Sequence, residues 1–107
     1  MNKNEQNAHL DLIIAARAGD ESAFEALLEA YEPLIDAMSR SFAQATDDSE
    51  SHEDLRQEAC IALYKAVQSY NSDQAEVSFG LYAKLCIRNR LISYTRKLRR
   101  RESVLPL

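Results

Sequence analysis

The chain has 107 residues, which is room for one small domain and not for two. Apolar residues make up 46%, enough for a thin core, while two Gly and two Pro exclude a long flexible linker and argue against a turn-rich all-β fold. The net charge of −4 hides a division: residues 1–76 carry 16 Asp/Glu against 5 Lys/Arg, a balance of −11, whereas 77–107 carry Glu102 alone against eight bases, a balance of +7.

Taken in chain order, the apolar spacing reads as helix almost throughout. Leu10 to Ala18 forms a short apolar helix that Gly19 stops. Asp20 then caps a second helix, with Glu21 and Glu25 placed to complement its dipole. Phe24, Leu27, Leu28, Tyr31, Ile35, Met38 and Phe42 recur at three and four and mark its buried face, with a kink or break expected at Pro33. Residues 45–51 are a polar acidic loop, and Ser51 with Asp54 resembles a capping box for a third helix reaching about Tyr70. Leu55, Ala59, Leu63, Ala66, Val67 and Tyr70 are its inner face. Asn71-Ser72-Asp73 closes it, and Ser78 caps a last helix running to about Arg100, with Ala83, Ile87, Leu91, Tyr94 and Leu98 as its core line. No alternating strand pattern exceeds four residues, so the expected class is all-α, a compact three- to four-helix bundle.

Two outward surfaces stand out. On the last helix, Tyr82, Cys86, Asn89, Ser93, Arg96 and Arg100 fall on one stripe about a third of a turn from the core line. An aromatic for stacking, small polar groups for base edges and arginines for phosphates suit a nucleic acid. The same stripe also reads as an ordinary solvated face, with Tyr82 covering a hydrophobic edge. On the third helix, Asp54, Gln57, Glu58, Ile61, Tyr64, Lys65 and Gln68 point away from the core line. An exposed Ile–Tyr pair with an acidic rim suits a protein partner; the alternative is that bundle packing buries the pair on a second side.

Other classes lack their signatures. No stretch reaches the ~20 apolar residues of a membrane span, and Met1-Asn2-Lys3-Asn4-Glu5 has no secretory signal core, so a cytoplasmic protein is expected. Cys60 and Cys86 read as buried free thiols, and with His9 and His52 they lack metal-ligand spacing, so no metal or cofactor is expected. His52-Glu53 is not a zinc motif because position 56 is Arg, and Gly19 and Gly80 build no phosphate loop; no catalytic set appears, and the chain is read as a non-enzyme.

The run Glu53-Asp54-Leu55-Arg56-Gln57-Glu58-Ala59-Cys60-Ile61-Ala62-Leu63-Tyr64-Lys65-Ala66 resembles region 2.2 of bacterial sigma-70-like factors. Ser78-Phe79-Gly80-Leu81-Tyr82-Ala83 and Ile87-Arg88-Asn89 resemble regions 2.3 and 2.4, and the Phe24–Phe42 helix with Tyr31-Glu32-Pro33-Leu34-Ile35 resembles region 2.1. The likeness spans about residues 10–107, with region 2.1 near 10–44, region 2.2 near 52–70 and regions 2.3/2.4 near 78–101, all in one domain. The basic run and Leu105-Pro106-Leu107 are similar to alternative factors of the stationary-phase and sporulation type.

This resemblance implies a transcription initiation module. It implies docking on the β′ coiled coil of core RNA polymerase through Asp54, Gln57, Glu58 and Ile61. It implies recognition and melting of the promoter −10 element, with Phe79 and Tyr82 as melting aromatics on the non-template strand. Asn89 and Ser93 would be base contacts; Arg88, Arg90, Arg96, Lys97 and Arg100 would hold phosphates. An anti-sigma factor is a further partner that such a module admits. Primary factors carry adjacent tryptophans where this chain has Leu85 and Cys86, which implies weaker capture at the upstream edge of the bubble. No region 4 follows, so either a truncated domain or a stand-alone region 2 is expected, and the abrupt end favours truncation. The competing readings are a polymerase-binding regulator or decoy that does not engage promoter DNA, and a generic helix-turn-helix regulator.

Overall fold

The computed structural model describes the backbone of residues 3–46 and 51–104 and the side chains of 9–45 and 52–98. Four helices follow one another: α1 (Lys3–Arg17), α2 (Glu21–Thr46), α3 (Ser51–Ser69) and α4 (Phe79–Val104), with no strand among the described residues. The protein is therefore all-α, and the bundle has four helices. Helix α1 starts well before Leu10. Its first turns hold Glu5, Gln6 and Ala8, good helix formers without an apolar stripe, so no hydrophobic pattern marks them.

The α1–α2 corner follows from two residues. Gly19 adopts φ 99°, which a Cβ would oppose, and its N–H donates to Ala16 O at 3.1 Å while Asp20 N–H donates to Ala15 O at 3.0 Å. That pair of bonds is a Schellman ending. Asp20 immediately caps α2: its Oδ1 accepts from Ser22 Oγ at 2.7 Å and from the N–H groups of Ser22 at 3.0 Å and Ala23 at 3.3 Å. These donors, the Ser22 hydroxyl foremost, hold the Asp20 carboxyl below its ordinary 3.8.

Helix α2 runs unbroken through Pro33, contrary to a break there. Pro33 sits on the exposed face, so the hydrogen bond it cannot make would lie on the solvent side, and the buried Tyr31 and Ile35 flank it. The buried line is Ala23, Leu27, Tyr31, Ile35, Ser39 and Ala43, one residue in four; Phe24, Leu28, Met38 and Phe42 pack half-buried beside it. Two acids on the edge of α2 reach α3: Arg56 pairs with Glu32 and, at 3.2 Å, with Asp36.

Helix α3 lies between α2 and α4 and packs on both. Its inner face is the expected one, with Leu55, Ala59, Leu63, Ala66, Val67 and Tyr70 all buried and Ala62 added. At its C-terminal end, Arg17 from α1 donates Nε–H to Val67 O at 2.7 Å and a second N–H to Tyr70 O. These carbonyls have no helical donor, and the guanidinium supplies one with favourable charge.

The connection to α4 is stitched by side chains. Asn71 Oδ1 accepts from Asp73 N–H at 3.0 Å. Gln74 accepts from Val77 N–H at 2.9 Å and donates to Val77 O and Asn71 O. Ser78 Oγ then accepts from Leu81 N–H at 3.2 Å, the expected cap. The α4 core line is Phe79, Ala83, Ile87, Leu91 and Thr95. Tyr94 and Leu98, assigned to it from the sequence, are half-buried. Thr95 can occupy the buried place because its hydroxyl donates to Ile92 O at 2.9 Å.

Leu63→Ala should cost about 2–5 kcal/mol in chemical denaturation, since the side chain is fully buried. Ile61→Ala, two residues away and exposed, should cost under ~0.5 kcal/mol; equal costs would show that α3 is rotated from the orientation described. Because the folded-state Asp20 value is depressed, its stabilisation is present above about pH 3.8 and is lost as pH falls through the lowered value. Asp20→Ala should lower the melting midpoint at neutral pH, with the gap to the parent closing below that pH.

Candidate protein and nucleic-acid interfaces

The outer face of α3 is open. Asp54, Gln57, Lys65 and Gln68 are exposed, Ile61 is 42% exposed and Tyr64 51%. Phe24 of α2 meets Tyr64 edge-to-face with ring centroids 5.4 Å apart, which fixes one side of that ring and leaves the rest to solvent. Two large apolar groups between carboxylates and amides make a surface fit for a protein partner. Glu58 departs from this picture. It is half-buried and turned toward α4, where its Oε2 accepts from Arg90 Nε at 3.2 Å.

Helix α4 distributes its sequence-assigned residues unevenly. Asn89, Ser93, Arg96, Lys97 and Arg88 are exposed, and Tyr82 is half-buried. Tyr82, Asn89, Ser93 and Arg96 lie along one face over about 21 Å of helix. Phe79 does not join them. At 5% exposure its ring sits in the core, edge-to-face with Tyr31 at 5.6 Å and with Tyr70 at 5.3 Å. The stacking role assigned to Phe79 is corrected: it stands four residues before Ala83 on the core line, and no face of it is offered to a base. Arg90 is likewise committed to Glu58 rather than standing free for a phosphate. The Arg100 side chain lies outside the described residues, as do the Ser51 side chain and Leu105-Pro106-Leu107.

Beneath Tyr82 lies an aromatic column. Rings of Tyr31, Phe79, Tyr70 and Tyr82 follow one another at 5.6, 5.3 and 5.5 Å, from the centre of α2 to the surface of α4. Tyr70 donates its hydroxyl to Val77 O at 2.6 Å, and the Tyr82 hydroxyl meets Ser69 Oγ at 2.7 Å. Burial pushes the Tyr31 phenol up, so that group stays neutral.

Four features escaped the sequence reading. Leu81 and Leu85 are 50% and 45% exposed beside Lys84 and Arg88, an aliphatic edge on the basic helix that the core-line assignment left unplaced. The Arg17 cap and the Glu58–Arg90 pair join residues far apart in the chain, and no local pattern announces them. Cys60 and Cys86 are free thiols, half-buried rather than buried, and burial pushes the Cys60 thiol up. Among the described residues no group of three or more His, Cys, Asp or Glu side chains is placed to hold a metal, and no helix is long and apolar enough to cross a membrane.

The domain is thus all-helical, with an acidic–apolar face on one helix and a basic–polar face on its neighbour. Residues 27–101 match the family described as Sigma-70 region 2, and the chain belongs to that family. It is 29% identical over 93 residues to the RNA polymerase sigma-H factor of Bacillus subtilis (strain 168), covering 87% of this chain and 41% of that protein. The RNA polymerase sigma-H factor of Bacillus licheniformis is 29% identical over 93 residues, covering 87% of this chain and 40% of that protein. The chain thus spans about two fifths of the length of these relatives. No solved structure matches it comparably.

The Glu58–Arg90 pair is partly shielded, with side chains 22% and 30% exposed, so a double-mutant cycle of Glu58→Ala and Arg90→Ala should give a favourable coupling of about 0.2–1 kcal/mol in denaturation. Zero coupling would show that the pair does not hold α3 to α4 in solution.

Proposed function

We propose that the chain is a transcription initiation module that docks on bacterial core RNA polymerase through α3 and engages promoter −10 DNA through α4. One observation carries this reading: on a single antiparallel helix pair, α3 turns Asp54, Gln57, Ile61 and Tyr64 outward while α4 turns Asn89, Ser93, Arg96 and Lys97 outward. The family and the names of the relatives support it.

Within this reading the polymerase contact centres on the Ile61 side chain, which loses water on docking, with Gln57 and Asp54 as its polar rim. The contact proposed is the β′ coiled coil. Glu58 contributes from the edge of the same face, where it also steadies Arg90. On α4, Tyr82 offers a ring to an unstacked base of the non-template strand, Asn89 and Ser93 reach base edges, and Arg88, Arg96 and Lys97 neutralise phosphates. Such a site needs no nucleophile. It binds the opened strand better than the closed duplex and shifts that equilibrium.

Affinity for bare DNA is expected to be low. The −11 balance of residues 1–76 repels phosphate, and each neutralised phosphate contributes a log–log salt slope of about −0.7 on single strands. Docking on polymerase supplies the missing affinity by raising the effective concentration of the promoter.

The test is capture of core polymerase by the purified chain, followed by binding of single-stranded DNA to the complex. Gln57→Lys with Ile61→Glu should abolish capture while leaving the fold intact. Tyr82→Ala with Arg96→Ala should leave capture unchanged and weaken DNA binding by at least ~10-fold. Capture with no DNA response in the second variant would favour the decoy reading, and tight polymerase-independent binding to duplex DNA would favour a helix-turn-helix regulator.

A further inference from the structure

We infer that Ser69, the last residue of α3, is a positioning residue for Tyr82: it takes up the Tyr82 hydroxyl proton, so that Tyr82 offers a nucleobase its ring face and no O–H donor. This rests on the reading of α4 as the DNA-binding helix and adds to it the chemistry of one contact.

The proton count decides the direction. Ser69 Oγ donates to Lys65 O at 2.9 Å and lies 2.7 Å from Tyr82 Oη. A serine hydroxyl has one hydrogen. With that hydrogen on the Lys65 carbonyl, the shared bond must take its hydrogen from Tyr82. The relay is therefore Tyr82 O–H to Ser69 O–H to a carbonyl of α3, and the phenol has no proton left for a ligand.

The ring is held at one further point. Its body packs on Tyr70, with centroids 5.5 Å apart and planes tilted by 48°. Tyr70 is itself anchored through its hydroxyl on Val77 O. A tyrosine has two rotatable side-chain angles, and fixing the tip and one flank restrains both. A base then meets a surface already in place and orders less on binding. Stacking accepts any base. Choice of base by a donated hydrogen bond accordingly falls to Asn89, about two turns further along the same face of α4, and not to the phenol proton.

The experiment uses the complex of the full chain with core polymerase and, as probe, single-stranded DNA selected by that complex from a random pool, with affinity read by fluorescence anisotropy. Tyr82→Ala should weaken binding at least ~10-fold. Ser69→Ala and Tyr82→Phe should each weaken it about three- to tenfold, the double variant no more than either alone, and Ser69→Thr should restore the parent value. Affinity for polymerase should be the same in all of them. Parent-like binding by Ser69→Ala beside a loss in Tyr82→Phe would mean that the hydroxyl reads the base directly, and would overturn the inference while sparing the function; additive losses would do the same. If Tyr82→Ala itself changed nothing, the DNA role of this face would fail and the inference with it. Aromatic-ring NMR on the free chain separates the structural part from both: Ser69→Ala should increase Tyr82 ring mobility, and an unchanged ring would refute the positioning role.

Discussion

Everything at the surface of α4 depends on how its first turns are seated, and an aromatic column seats them. Phe79, the first residue of the helix, is inserted between Tyr31 of α2 and Tyr70 at the end of α3. Three rings from three segments meet edge-to-face, a geometry worth ~0.5–1.5 kcal/mol per pair beyond the area buried. Because Phe79 is fixed, so is the rotation of the helix that follows, and with it the side on which Asn89, Ser93 and Arg96 emerge. Tyr82 closes the column at the surface. The interior of the bundle thus runs continuously into the ring proposed to receive a base.

Charge is arranged to serve the same division. Acidic residues dominate the first three helices, yet several are neutralised where helices meet: Arg56 takes up Glu32 and Asp36 between α2 and α3, and Arg90 takes up Glu58 between α3 and α4. Arg17 is spent on the carbonyls at the end of α3. What remains outward on α3 includes Glu53, Asp54, Gln57, Ile61, Tyr64, Lys65 and Gln68, and the charges that remain outward on α4 include Lys84, Arg88, Arg96 and Lys97. The cross-helix pairs contribute modestly to stability, being partly exposed. Arg56, a base on the acidic α3, is thereby neutralised by α2, while the Glu58–Arg90 pair ties α3 to α4 at the cost of one charge from each face.

Much of this was legible in the residues. Every residue assigned to the inner face of α3 is buried, with Ala62 alone added, since a buried helix face must repeat at three and four. The Gly19 stop, the Asp20 cap and the Ser78 cap were also legible, because each satisfies backbone groups that the chain itself leaves open. Phe79 was misplaced for an instructive reason. The family resemblance marked it as a surface aromatic, whereas its own spacing, four before Ala83 and eight before Ile87, already put it on the core line. Pro33 was expected to interrupt α2 on intrinsic preference, and tertiary packing on both sides of it prevailed. The commitments of Glu58, Arg90, Ser69 and Arg17 depend on partners 13 to 53 positions away, which no local pattern encodes.

The central claim is that two adjacent helices face two different molecules. Site-specific photo-crosslinking in the assembled complex of chain, core polymerase and opened promoter DNA tests it most directly, with the reactive group placed in turn at position 61 and at position 82. The account requires that position 61 link to polymerase protein and position 82 to a base of the displaced strand. Linkage of both positions to the same macromolecule, or of position 61 to DNA, would contradict it.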